Sequence, residues 1–132
     1  MKTCPVVHFE MPYKDGEKTA EFYKRAFGWQ MSQMDEKMGN YILAGTTEVD
    51  EHMMPKKPGA INGGFYPASA DDPSSMYPSV TIGVDDIKQS IEDVKKAGGN
   101  VLGEPVMIPG VGWYVKFYDP NKNCASMLEP TR

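Results

Sequence analysis

Val6-Val7-His8-Phe9-Glu10-Met11, Asp15 and Ala20-Glu21-Phe22-Tyr23-Lys24-Arg25-Ala26-Phe27-Gly28-Trp29, read together, decide the fold. The first run is rich in β-branched and aromatic residues and reads as a strand. Asp15 is placed to cap a helix. Ala20, Tyr23, Ala26 and Phe27 recur at helical spacing, and Gly28 stands where a helix takes its stop. Residues 29–34 and 40–44 then read as two short strands around a polar turn. Residues 60–66 read as a third, weakened by Gly63 and Gly64.

The pattern restarts further on. Residues 79–84 form a strand candidate, and Asp86 caps a helix whose stripe is Ile87, Ile91 and Val94. Gln89, three residues after Asp86, completes a capping-box pattern. Ala97-Gly98-Gly99 ends that helix, and residues 101–106, 112–118 and 125–128 supply three more strands. Asp15 falls on Asp86 and Ala26 on Ala97, a shift of 71; near the ends Phe65-Tyr66-Pro67 falls on Leu128-Glu129-Pro130, a shift of 63. The fold expected is α+β: two βαβββ modules, residues 4–67 and 78–131, joined by a polar linker at 68–77. Each module packs its helix on one face of a curved sheet. The other faces pair as half-barrels around a cavity, making one domain. The change of shift arises because residues 46–58 form a long loop where the second half has the compact turn Asp119-Pro120-Asn121-Lys122-Asn123. A long ordered loop in a small domain is often a lid or a binding loop, and otherwise a surface excursion.

Composition narrows the classes of function. The 132 residues carry a formal net charge of −4 with both signs scattered, so no basic stripe favours nucleic acid. No apolar run approaches the ~18 residues that span a membrane, and the N-terminal residues are too polar for a signal peptide. The two cysteines, Cys4 and Cys124, read as reduced thiols of a cytoplasmic protein rather than as a zinc site. A bridge between them stays open at this point.

Four pieces carry a family resemblance: Val7-His8-Phe9-Glu10-Met11-Pro12, Ala20 to Trp29, Pro109-Gly110-Val111-Gly112-Trp113 and Tyr118-Asp119-Pro120-Asn121. Together with the duplication, they resemble the vicinal oxygen chelate superfamily, the glyoxalase, bleomycin-resistance and dioxygenase group. The resemblance implies paired βαβββ modules, a ligand cavity and a homodimer. In metal-dependent members the ligands come from the first and last strands of each module, typically as His or Gln and Glu. Carried over, those positions are His8, Ser79 at the shift of 71, Ser126, and Gly63 at the shift of 63. Only His8 keeps a family ligand, and a catalytic divalent ion normally takes about three protein donors. No metal and no cofactor are therefore expected, unless Glu10, Glu51 or His52 joins His8.

His8 and Glu10 stand two apart on a strand, so their side chains share a face. Phe9 and Met11 take the opposite face, under the helix. The pair reads as pocket-lining, and either as an acid/base couple or as a structural pair. Ser79, Ser126 and Trp113 join them as candidate ligand-binding residues, although strand alternation leaves open whether Trp113, Val115 and Phe117 or Tyr114, Lys116 and Tyr118 face the cavity. No nucleophile elbow accompanies either serine. Pro109 to Gly112 enters a strand rather than opening a helix, so it is not a phosphate loop. Three functions follow. The first is a small-molecule binder of the bleomycin-resistance kind without metal. The second is a metal-dependent lyase, isomerase or dioxygenase of the glyoxalase type. The third is a metal-free acid/base enzyme using His8 and Glu10.

Overall fold

In the computed structural model, which describes residues 2–131, the two halves adopt the same order of elements. The first half contains β1 (Val6–Tyr13), α1 (Gly16–Phe27), β2 (Gln30–Gln33), β3 (Ile42–Gly45) and β4 (Asn62–Pro67). The second contains β5 (Ser79–Gly83), α2 (Ile87–Lys96), β6 (Asn100–Ile108), β7 (Gly112–Tyr118) and β8 (Cys124–Pro130). The chain divides into two compact units, His8–Pro78 and a second made of Ser79 onward with the residues before His8.

In the first unit the strand order is β2-β3-β4-β1, with β1 parallel to β4 and the other pairs antiparallel. The second unit repeats this as β5-β8-β7-β6, with β5 parallel to β8. Parallel neighbours need a crossover rather than a hairpin, and here the intervening strands and helix supply it.

Caps fix both helices. The Asp15 carboxylate accepts from the Lys18 N–H at 3.0 Å, and Gly28 closes α1 in the left-handed conformation at φ 71°. Asp86 accepts from the Gln89 N–H at 3.1 Å. The reciprocal half of the expected capping box does not form, because the Gln89 side chain donates to Asp93 one turn on, at 3.1 Å. In the turn after β7, Asp119 accepts from the Asn121 and Asn123 N–H groups and from the Asn123 side chain. The Asn123 bonds hold its carboxyl below the usual carboxylate range.

Each unit buries its own core against its own helix. Ile42, Ala44 and Phe65 are buried in the first, with Phe9, Met11, Tyr13, Tyr23, Trp29 and Met31 packed against them. Tyr23 on α1 stacks on Trp29 at 4.7 Å between ring centres. The second core is Val84, Ile87, Val115 and Met127, with Phe117 and the α2 residues Ile91 and Val94 around it. Phe9 and Met11 therefore face the helix, as alternation along β1 requires. The stretch 68–77 is more ordered than a polar linker. Asp72 caps a short 3-10 turn at Pro73–Ser75, whose Ser74 and Ser75 are buried, and Ser75 exchanges hydrogen bonds with the Ser69 backbone. No helix among the described residues is long and apolar enough to cross a membrane.

The register corrects one correspondence between the halves. Glu10 pairs with Gly64 in the first unit, and Thr81 pairs with Ser126 in the second. Since Glu10 and Thr81 are 71 apart, Ser126 matches Gly64 and not Gly63. Burial agrees: Phe65 and Met127, the next residues along, both lie in their cores. Gly63 faces the core, where a Cβ would overlap the Phe9 ring, whereas a Cβ on Gly45 would meet only ordinary contacts. Gly63→Ala should cost about 1–3 kcal/mol in urea unfolding, as overpacking does. Gly45→Ala should stay within about 0.5 kcal/mol of the parent, the range of substitutions away from packed features.

Candidate functional site

The site begins on the helix-free face of the first unit. Strand alternation turns His8 and Glu10 to the side opposite Phe9 and Met11. Glu10 is 8% exposed, so its carboxylate needs polar partners close by. One of them is Tyr41, immediately before β3, whose hydroxyl donates to Glu10 Oε2 at 3.0 Å. The same hydroxyl lies 3.0 Å from His8 Nε2. A single phenol thus joins the two residues of the β1 pair.

Gly64 makes room for that phenol. It sits beside Glu10 in the ladder and beside Leu43 on β3, so its missing side chain would have pointed to this face. A Cβ there would fall inside the Tyr41 ring. Tyr41 thus takes, from the residue just before β3, the space of a side chain on the last strand of the module. The sequence carried a signal for this: two adjacent glycines within a strand mark close approach of something to each face. Phe9 approaches Gly63 and Tyr41 approaches Gly64.

Ser79, Ser126 and Trp113 belong to the second unit. Ser126 is 1% exposed, and its hydroxyl is 2.9 Å from that of Thr81. Ser79, half-buried, is two residues before Thr81 on β5 and shares its face. Trp113 does not belong with them. It shares a face of β7 with Val115 and Phe117, which pack in the α2 core, whereas Lys116 is the residue opposite Ser126. Trp113 is 40% exposed on that helix side. The loop 46–58 is anchored where Asn62 Oδ1 accepts from the Thr46 and Thr47 N–H groups at 2.7 and 3.1 Å. His52 lies at its exposed tip beside Glu51, 3.6 Å away. Asp50 folds that tip by accepting from the His52 and Met54 N–H groups, which hold its carboxyl below the ordinary range. A surface depression along α1, lined by Glu17, Lys18, Glu21, Phe22, Arg25 and Ala26, is formed by one helix and lacks the His8 and Glu10 chemistry.

Among the described residues no three of His, Cys, Asp and Glu gather in one place. In the first unit His8 Nε2 and Glu10 are both engaged by Tyr41, and Gly64 offers no donor. In the second, Ser126 is a buried hydroxyl paired to Thr81.

Burial is the largest influence on His8 and pushes its pKa below the ordinary value; the Glu10 carboxylate pulls it part of the way back. His8 therefore favours the neutral imidazole in the folded state. The unfolded chain binds the extra proton first, so this contribution to stability is whole above the unfolded value of ~6.5 and is lost as pH falls from there toward the folded value. Urea unfolding across that window should show the parent losing more stability than His8→Gln. Glu10→Gln should move the His8 midpoint further down, as read by proton NMR. A His8 midpoint above the free value would contradict the burial argument.

Comparison with known proteins agrees with the architecture. The model of the Glyoxalase/Bleomycin resistance protein/Dioxygenase superfamily matches residues 6–124. A Mycobacterium bovis protein named as a glyoxylase, CFP32, is 32% identical over 83% of this chain, and the chain spans only 38% of that protein's length. A Vibrio cholerae protein named probable lactoylglutathione lyase is 29% identical over 98% of this chain and 93% of its own. Among solved structures, Streptomyces coelicolor methylmalonyl-CoA epimerase in complex with 2-nitronate-propionyl-CoA superposes with a TM-score of 0.71. It covers 98% of this chain and 96% of its own at 15% identity, which speaks for the fold alone. With the duplicated βαβββ order and the family model spanning both modules, this chain belongs to the glyoxalase, bleomycin-resistance and dioxygenase superfamily.

Proposed function

We propose that the chain holds a small organic molecule against the helix-free face of the first unit, and that it does so without the divalent ion used by metal-dependent members. The observation that carries the reading is the substitution at the last-strand position. Gly64 supplies no donor, and Tyr41 occupies the space and binds both His8 and Glu10. A face with one aromatic ring and a few polar groups suits an organic ligand. The reading keeps the homodimer that the family resemblance implies.

A second reading deserves a test because the cluster contains a neutral imidazole beside a carboxylate: metal-free acid/base turnover through His8, oriented by Tyr41 and Glu10. The competing reading, metal-dependent lactoylglutathione chemistry, follows the names of relatives rather than the donor set.

Protein purified without chelator should carry well under one equivalent of Zn, Ni, Co, Fe or Mn by elemental analysis. Lactoylglutathione turnover should stay at background when those ions are added. Native mass spectrometry should retain a small organic molecule on the parent, with lower occupancy in Glu10→Gln. Near-stoichiometric metal lost on His8→Ala, or ion-stimulated turnover, would overturn the proposal.

A further inference from the structure

His8 makes one hydrogen bond among the described residues, through Nε2 to Tyr41. Its Nδ1 has no hydrogen-bond partner there. No solvent-excluded side-chain nitrogen or oxygen among the described residues lacks a partner. Nδ1 of the half-buried His8 is therefore open to solvent.

The network decides which nitrogen holds the proton. An ionised carboxylate only accepts, so the single hydroxyl proton of Tyr41 goes to Glu10 Oε2. The phenol oxygen then faces His8 Nε2 with a lone pair, and the contact is a hydrogen bond only if Nε2 carries the proton. A neutral imidazole has one N–H. With it committed to Tyr41, Nδ1 is a bare lone pair.

We propose that Tyr41 is a positioning residue that fixes His8 as the Nε2–H form and leaves Nδ1 as the acceptor a ligand meets. The assignment rests on the reading that this face binds a small molecule without metal, and it gives that molecule a chemical class. A metal centre takes lone pairs from its ligand, so it selects paired oxygens. A bare Nδ1 takes hydrogen, so it selects a molecule presenting a neutral O–H or N–H, such as a phenol, an enol or an amide. Gly64 is part of the device, because any side chain there displaces the Tyr41 ring without removing a polar group.

The test is NMR of the full chain with 15N-labelled histidine, above pH 7.5, where the imidazole is neutral. The parent should show the His8 proton on Nε2, protected from exchange. Tyr41→Phe and Gly64→Ala should each speed its exchange at least fivefold, with folding checked by the backbone spectrum. A purely structural role for Tyr41 would lower stability and leave that exchange unmoved. Phenol at millimolar concentration should shift the parent's Nδ1 resonance, and acetate should not. A parent with the proton on Nδ1, a smaller change in whichever variant folds, or a response to acetate rather than phenol would overturn the assignment. Zinc added to the parent separates the two readings. Coordination of zinc by His8 through either ring nitrogen would defeat the metal-free reading, whereas an inert response to zinc with an unaltered variant spectrum defeats only the role of Tyr41.

Discussion

A strand position without a Cβ lets an aromatic ring come down onto the sheet, and the chemistry of the first unit follows from that permission. At Gly64 the ring is Tyr41, and a Cβ would occupy the same space. Once seated, its hydroxyl lies within hydrogen-bond distance of both ionisable residues of β1. Glu10 can then be buried at 8% exposure with a strong donor on its carboxylate. Leaving such a group buried and unpaired would cost several kcal/mol. Burial pushes the His8 pKa below its ordinary value, and the Glu10 carboxylate pulls it part of the way back.

The second unit meets the matching constraint differently. Thr81 stands where the first has Glu10, and Ser126 where it has Gly64. Both are small, both carry hydroxyls, and the 2.9 Å bond between them satisfies a position only 1–2% exposed. No charge is buried at that pair and no bridging ring is needed. The duplicated scaffold thus holds one His8–Tyr41–Glu10 cluster and one closed hydroxyl pair. The N-caps and strand order repeat between the halves, while the side chains on the helix-free faces and the loop at 46–58 differ.

Much of this was legible in the sequence, because local rules govern it. Asp15 and Asp86 cap as their residue type suggests, Gly28 stops α1, and alternation sends Phe9 and Met11 to the core and His8 and Glu10 away from it. What escaped depends on register across the sheet. The match of Ser126 to Gly64 rather than Gly63 turns on a single residue, because the unequal loops between the strands of the two halves hide the offset, and a one-residue slip changes the face. Tyr41 gains its role only from lying against Gly64, and its two partners are 33 and 31 residues away in sequence. Trp113 belongs to the helix side because Val115 and Phe117 pack there, and periodicity alone leaves that choice of face open. Gln89 turns its side chain to Asp93 rather than back to the Asp86 N–H, a choice the capping-box pattern alone does not settle.

The Tyr41 phenol fills the space of a last-strand side chain and bonds both His8 and Glu10, which in the function proposed above keeps a divalent ion from them. Calorimetric titration of zinc into the parent and into the double variant Tyr41→Ala/Gly64→Glu measures this most directly. The double variant removes the ring and restores a carboxylate beside His8 and Glu10, bringing the donors to the three that a catalytic zinc site uses. The variant is expected to gain at least tenfold in zinc affinity, and to lose this gain when His8→Ala is added. A parent that already binds zinc through His8 as tightly as the variant would contradict it.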